Sequence, residues 1–262
     1  MIDCKAYAAE ILDSIKTPGR LAVISVGDDP ASASYIKGKK ADCERVGHKF
    51  EHHHFKADVL EEIVLTMIDI LNDKEDVTGI IVQLPLPRHL DAEKIVNRIA
   101  PEKDVDGFRP GSPYAPCTPE GVVHVLKKEL GDLTGKRATI IGRGKLVGRP
   151  LMQMLLEEDM TVSICHSKTG EGHRNTLAWL SDAVIVAVGK PRCIHLRGVC
   201  PDTVVIDCGV NRDEDGKLCG DVGNCNSHRI TPVPGGVGLM TRAMLMRHVE
   251  EGAKHAKGQT DV

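Results

Sequence analysis

Apolar positions along the chain fall into two kinds of run. Short continuous blocks (LAVISV at 21–26, VTGIIV at 77–82, ATII at 138–141, AVIVAV at 183–188) alternate with longer stretches in which apolar residues recur every three or four positions. A continuous apolar strand has no polar face, so it belongs in a parallel sheet covered on both sides. The intervening helical periods are the covers. The pattern predicts helices over 6–15, 32–46, 59–71 and 120–129, another after the glycine-rich turn through 156, and a last one over 241–257. Strands are expected over 21–26, 77–82, 138–141, 161–165, 183–188 and 203–207, with 52–54 as a half-exposed strand segment. The expected class is α/β with two lobes. Four prolines in RPGSPYAPCTP, 109–119, mark a semi-rigid connection between them. The division expected is an N-terminal substrate domain, 1–117, completed by a returning C-terminal helix, 241–262, and a Rossmann-like domain, 118–240.

Charge and composition narrow the classes. A net charge of −3 and 3% aromatic residues offer neither a basic surface nor stacking platforms, so no nucleic-acid partner is expected. MIDCKAYAAEILDSI carries early acidic residues and no long apolar run. It reads as neither leader nor membrane span, and a cytoplasmic location is expected. Nine scattered cysteines without a C-x-x-C pair read as reduced thiols, several of them buried beside strands, rather than as a zinc site. The run His52-His53-His54 invites a metal reading. Successive strand side chains point to opposite faces, so the three rings cannot converge on one ion, and no metal is expected.

The strand ATII runs into Gly142-Arg143-Gly144-Lys-Leu-Val-Gly148 and then a helix. Glycines between a strand and a helix permit a tight turn and close backbone approach to a pyrophosphate. An NAD enzyme usually ends its next strand with Asp or Glu on the ribose 2′-hydroxyl. Here that strand ends Cys165-His166-Ser167-Lys168, with no carboxylate to repel a 2′-phosphate. A hydroxyl, with Arg143 in the glycine turn, suits that phosphate, which favours NADP.

The first half carries a different chemistry. Tyr35 and Lys39 lie four residues apart on one helix face, whereas Lys37 and Lys40 point elsewhere and read as solvated. Gln83 ends the strand of VQLPLP, where ligands of parallel sheets bind. Asp106, before Gly107, is either a turn former or a carboxylate for a ligand with paired N–H donors. The segment TPVPGGVG, 231–238, is a connector or a bare loop that lets backbone approach a flat ligand.

These segments together closely resemble the bifunctional methylenetetrahydrofolate dehydrogenase/methenyltetrahydrofolate cyclohydrolase family. VGDDPASASYIKGKK, GIIVQLPLP, EKDVDGF, PCTPEGV, GRGKLVGRP, CHSKT, AVGKP, VIDCGVN and TPVPGGVGLMT occur in the family's order across nearly the whole chain. The resemblance implies oxidation of 5,10-methylenetetrahydrofolate with NADP, then hydrolysis to 10-formyltetrahydrofolate, by a homodimer of two-lobed subunits with a cleft between the lobes. It implies that Lys39 is the essential lysine of hydrolysis, with Tyr35 and Gln83 beside it, and that Asp106 holds the pterin. Gly235 and Gly238 would contact folate; Gly142, Arg143, Gly144, Ser167 and Val210 would contact NADP. The chain departs from the family in a short first helix and in trimmed segments at 108–116 and 222–230. Gly144 stands where Ser is common, and Leu239 where Pro is common. Three rival readings are a dehydrogenase that has lost hydrolysis, a non-catalytic folate- or nucleotide-binding protein, and a shikimate-dehydrogenase-like enzyme. Lys39, Gln83 and Asp106 argue against the first, Lys39 with the glycine turn against the second, and VQLPLP with PVPGGVG against the third.

Overall fold

The computed structural model describes residues 1–258, and the expected end of the last helix at 259–262 lies outside the described residues. The chain forms two compact units, Ala9–Cys117 with the chain from Arg242 onward, and Met1–Ala8 with Thr118–Thr241.

The first unit is built on a three-stranded parallel sheet. Helix α1 (Cys4–Ser14) leads into β1 (Arg20–Val26), α2 (Pro30–Val46), β2 (Lys49–Phe55), α3 (Glu61–Asp73), β3 (Gly79–Val82) and the short α4 (Ala92–Asn97). The strand order is β2-β1-β3. Strand β1 is central and buried at six of its seven positions, as its unbroken apolar run requires. Val64, Ile68 and Leu71 of α3 recur at helical spacing and pack with Ala22, Ile24, Ile80 and Val82 in one core. Helix α2 begins sharply because the Asp29 carboxylate accepts the Ser32 N–H at 2.7 Å and Pro30 occupies its first position.

The histidine run lies in β2. The Ser25 hydroxyl sits between His52 Nε2 at 2.9 Å and His54 Nδ1 at 3.1 Å, while His53 turns to Glu51 at 2.6 Å. Alternation along the strand thus separates the middle ring from its neighbours. None of the nine cysteines is in a disulfide, and five of them are buried.

In the second unit, α5 (Cys117–Leu130) precedes β4 (Arg137–Ile141), α6 (Gly148–Glu157), β5 (Thr161–Cys165), α7 (Glu171–Trp179) and β6 (Ala183–Val186). There follow β7 (Ile194–Leu196), β8 (Val204–Asp207), β9 (Asn211–Arg212), β10 (Leu218–Cys219), β11 (Val222–Cys225) and α8 (Val237–Ala256). The main sheet is parallel with order β5-β4-β6-β8. Strands β5 and β6 flank β4 on opposite sides, so the order reverses at the carboxyl end of β4, where the glycine turn begins. Such a reversal opens a crevice for a ligand.

Helices α4 and α7 and strands β7, β9, β10 and β11 had no counterpart in the hydropathy pattern. The strands are only two to four residues long, and EGHRNTLAW buries just Ala178. Helix α8 starts at Val237, four residues before the expected 241. Burial of Val237 and Met240, three positions apart, outweighs the low helix propensity of the glycine between them. From Arg242 onward this helix packs on the first unit, as the returning helix was expected to do. The Glu250 carboxylate accepts the Thr17 N–H at 2.7 Å, and the Met246 carbonyl bonds the buried His48 ring at 2.9 Å.

Ile80 is fully buried in the middle of this first-unit core. Ile80→Ala is expected to lower stability by about 2–5 kcal/mol in urea denaturation. A loss below about 1 kcal/mol would mean that the core collapses around the vacancy.

Candidate functional site

In the first unit the carboxyl end of the sheet brings two of the proposed side chains into contact. Lys39 lies on the helix that follows β1, and Gln83 immediately follows β3. The Gln83 backbone N–H donates to the Ile24 carbonyl at 2.8 Å, which locks it to the end of β1. Its side-chain Nε2 donates to the Leu84 carbonyl at 2.9 Å, leaving Oε1 to accept from Lys39 Nζ at 3.0 Å. The amide is therefore held in one orientation by its two partners. Lys39 is buried, with 8% of its surface exposed. Burial pulls its pKa below the ordinary lysine value, Arg242 pulls in the same direction, and Asp106, Cys117 and Cys43 oppose. Tyr35, one turn earlier on α2, is half-buried, and burial raises its phenol.

Asp106 is half-buried, and its charge reaches Lys39. Its backbone carbonyl accepts the Cys117 N–H, and Gly107 follows with φ +71°, so this segment is a turn that also presents a carboxylate. Two residues earlier, burial pushes the Asp104 carboxyl up to about 6. Asp104 anchors the turn by accepting the Arg109 N–H at 2.9 Å. A cavity of about 610 Å³ also opens in this unit, lined by Lys37, Lys40, His52 and His54 among others. Lys39, Gln83, Tyr35 and Asp106 do not line it.

Arg242 escaped the sequence reading. Its Nε pairs with Asp42 Oδ2 at 2.7 Å, and its guanidinium passes so close to α2 that a methyl group on Gly38 would overlap Nη1. A mid-helix glycine beside the candidate lysine was the available signal. Its meaning depended on a residue about 200 positions away.

In the second unit the glycine turn is sterically dictated at its two ends. Gly142 has φ +125°, and a Cβ there would overlap the Ala187 carbonyl oxygen; a Cβ on Gly148 would overlap the Gly142 carbonyl oxygen. Gly144 meets nothing within 4 Å, so its bare backbone faces open space. Helix α6 has no side-chain N-cap; its Arg149 N–H donates to the Gly144 carbonyl at 3.1 Å, and Pro150 has no N–H. A cavity of about 440 Å³ lies against this turn, and Arg143, Gly144, His166, Ser167, Arg174 and Lys190 are on its wall.

Four sequence-proposed residues, Gly142, Arg143, Gly144 and Ser167, thus share one cavity. Val210, three residues past β8, is 47% exposed and does not line it. Gly235 has φ +97° in the segment before α8, whereas Gly238 lies in the first turn of that helix rather than in the loop.

Two functional candidates went unread here. Arg174, on α7, has its Nε buried without a hydrogen-bond partner at the cavity wall. Asp221, fully buried, accepts the N–H groups of Val188, Gly189 and Lys190 at 2.6, 2.9 and 2.9 Å. Asp207 in turn accepts the N–H groups of Asp221 and Val222 at 3.0 and 2.9 Å. The two carboxylates clamp the loop that forms one cavity wall. Arg174 lies on the helix the pattern missed, and the clamp joins segments that only folding brings together.

A glycine-turn dinucleotide unit and a second α/β unit carrying a buried lysine define a dinucleotide-dependent, two-unit enzyme class. Residues 116–257 match the NAD(P)-binding domain of tetrahydrofolate dehydrogenase/cyclohydrolase, and residues 2–106 match its catalytic domain. The chain belongs to this family. It is 48% identical over 252 residues to the bifunctional protein FolD of Bacillus cereus, covering 91% of this chain and 87% of that protein. The crystal structure of the bifunctional FolD enzyme from Campylobacter jejuni aligns with TM-score 0.90 and 40% identity, over 97% of this chain and 98% of that one. FolD of Trypanosoma brucei, solved with NADP cofactor and inhibitor, aligns with TM-score 0.87 and 29% identity, over 97% and 95%.

The turn's steric pattern predicts unequal tolerance. Gly148→Ala is expected to weaken NADP binding by roughly tenfold or more, because the turn must open to admit a methyl group. Gly144→Ala is expected to leave the melting temperature within ~2 °C of the parent, since no protein atom opposes it. Cofactor titration by fluorescence and thermal melting read the two effects. Equal behaviour of the two variants would contradict the steric account.

Proposed function

We propose that the chain oxidises 5,10-methylenetetrahydrofolate to 5,10-methenyltetrahydrofolate with NADP and then hydrolyses the product to 10-formyltetrahydrofolate. Membership of the family through both of its domains supports the two activities. The observation that carries the hydrolytic half is the buried Lys39 amine held against the Gln83 amide at 3.0 Å. A dehydrogenase that had lost hydrolysis would have no chemical use for an amine kept in that state.

The glycine turn and its cavity fit NADP. Gly142 and Gly148 shape a turn of bare backbone at the start of α6, and Arg143, Arg174 and Ser167 supply cations and a hydroxyl for the 2′-phosphate. Bound there, NADP supplies the hydride acceptor. The Asp221 clamp holds the opposite wall of the cavity in shape.

Lys39 manages the protons of hydrolysis. With its pKa drawn down by burial, the neutral amine can take a proton from the attacking water and return it as the ring opens. Gln83 aims the amine, Tyr35 shapes the wall, and Asp106 accepts paired hydrogen bonds from the pterin. Gly235 and Gly238 are assigned to folate contact, and Val210 to the cofactor.

The substrate domain is assigned to 1–117 with 241–262, and the cofactor domain to 118–240. Among the described residues no helix is long and apolar enough to cross a membrane. We infer a cytoplasmic homodimer from the family resemblance.

Lys39→Met is expected to cut methenyltetrahydrofolate hydrolysis by roughly a hundredfold or more while some dehydrogenase activity remains. Undiminished hydrolysis would remove Lys39 from the role. Arg143→Ala is expected to raise the KM for NADP roughly tenfold or more, with little change for NAD. Parallel losses with both cofactors would argue against a 2′-phosphate contact.

A further inference from the structure

Three observations converge on the turn of α2 that carries Lys39. Tyr35, Lys39 and Asp42 are spaced to share one face of the helix. Asp42 holds Arg242 through an ion pair at 2.7 Å, with the two side chains 13% and 24% exposed. Gly38, immediately before Lys39, is the position where any Cβ would overlap the guanidinium. Glycine inside a helix weakens it, and here its missing side chain leaves the space that the Arg242 guanidinium occupies.

We propose that Arg242 is a positioning residue for the hydrolytic step, a fixed cation that Asp42 anchors over the bare backbone of Gly38 so that Lys39 stays available as a neutral base. This rests on the reading of Lys39 as the group that handles protons.

The groups facing Lys39 are Gln83 after β3, Asp106 in the turn before α5, Cys43 on α2, Cys117 at the start of α5, and Arg242 on α8. Asp106 favours the ammonium form. Arg242 is the charged neighbour that disfavours it, reinforcing burial. An amine moved into apolar surroundings but left facing Asp106 alone would be drawn back toward the charged state. The guanidinium prevents that, and its own charge cannot titrate away in the working range. Burial raises the Asp42 carboxyl, and Arg242 pulls it back, which keeps the anchor paired.

The sign follows directly. Removing a fixed cation makes protonation of Lys39 easier, so the neutral amine appears only at higher pH. Two measurements read this: the pH–rate profile of methenyltetrahydrofolate hydrolysis, and the pH dependence of Lys39 acetylation by acetic anhydride, followed by mass spectrometry. The second needs no catalysis. In Arg242→Met both profiles are expected to move up by about one pH unit, with hydrolysis near neutrality falling roughly tenfold. Arg242→Lys is expected to restore most of the shift. Gly38→Ala, which displaces the guanidinium, is expected to reproduce the Met variant.

A purely structural ion pair would lower hydrolysis by the same factor at every pH and leave the acetylation profile where it was, and that result overturns the proposal. If Arg242→Met does not fold, Arg242→Gln is read by the same two criteria. Full hydrolysis by Lys39→Met would remove the role of the amine itself. An unmoved acetylation profile would instead remove the action of Arg242 upon it.

Discussion

The burial of one amine organises the chemistry of the first unit. Taking a lysine out of water penalises its charged form, and a group that cannot shed its charge would have to be paired at full strength. Lys39 is paired instead with a neutral amide, and Gln83 can serve only because its other hydrogen bonds are already committed to the backbone. The parallel sheet makes this possible. The connections leaving β1 and β3 meet at its carboxyl end, so a helix residue and a loop residue 44 positions apart come within one hydrogen bond.

The second unit solves the opposite problem. It must present many partial charges to a highly charged ligand while burying few full ones. Bare backbone does so, since the N–H groups of a turn and an uncapped helix start carry no desolvated ion. Glycine is required at 142 by its φ of +125° and by overlap with the Ala187 carbonyl oxygen, and at 148 by overlap with the Gly142 carbonyl oxygen. Where charge is buried, as in Asp207 and Asp221, it is covered by a set of backbone N–H donors, and the loop those donors belong to is thereby fixed.

The same economy appears around Lys39. The charges whose fields reach the amine are of both signs: Asp106 favours the ammonium form, and Arg242, held by Asp42, disfavours it. A shift in any of them alters the balance between ammonium and amine without moving the lysine. The ion pair of Asp42 and Arg242 is thus more than a surface attraction of the kind that contributes little to stability.

The sequence by itself determined the parallel α/β class, the main strands, the cofactor turn and the identity of the candidate side chains. Continuous apolar runs, glycine spacing and the absent carboxylate after Cys165 are local signals, readable because strand burial and turn geometry act over a few residues. Gln83 was legible as a polar exception at a strand end, and Lys39 as half of a Tyr–Lys pair on one helix face. Their hydrogen bond was not, because its geometry depends on how β1 and β3 pair. Helix α7, with Arg174 on it, was hidden because it buries a single alanine and so leaves no apolar period to read. The start of α8, the Asp207–Asp221 clamp and the seat of Arg242 over Gly38 join distant segments, and a residue's electrostatic surroundings are a property of the space around it. Only the tertiary structure decided those, because burial and charge–charge distance have no expression along the chain.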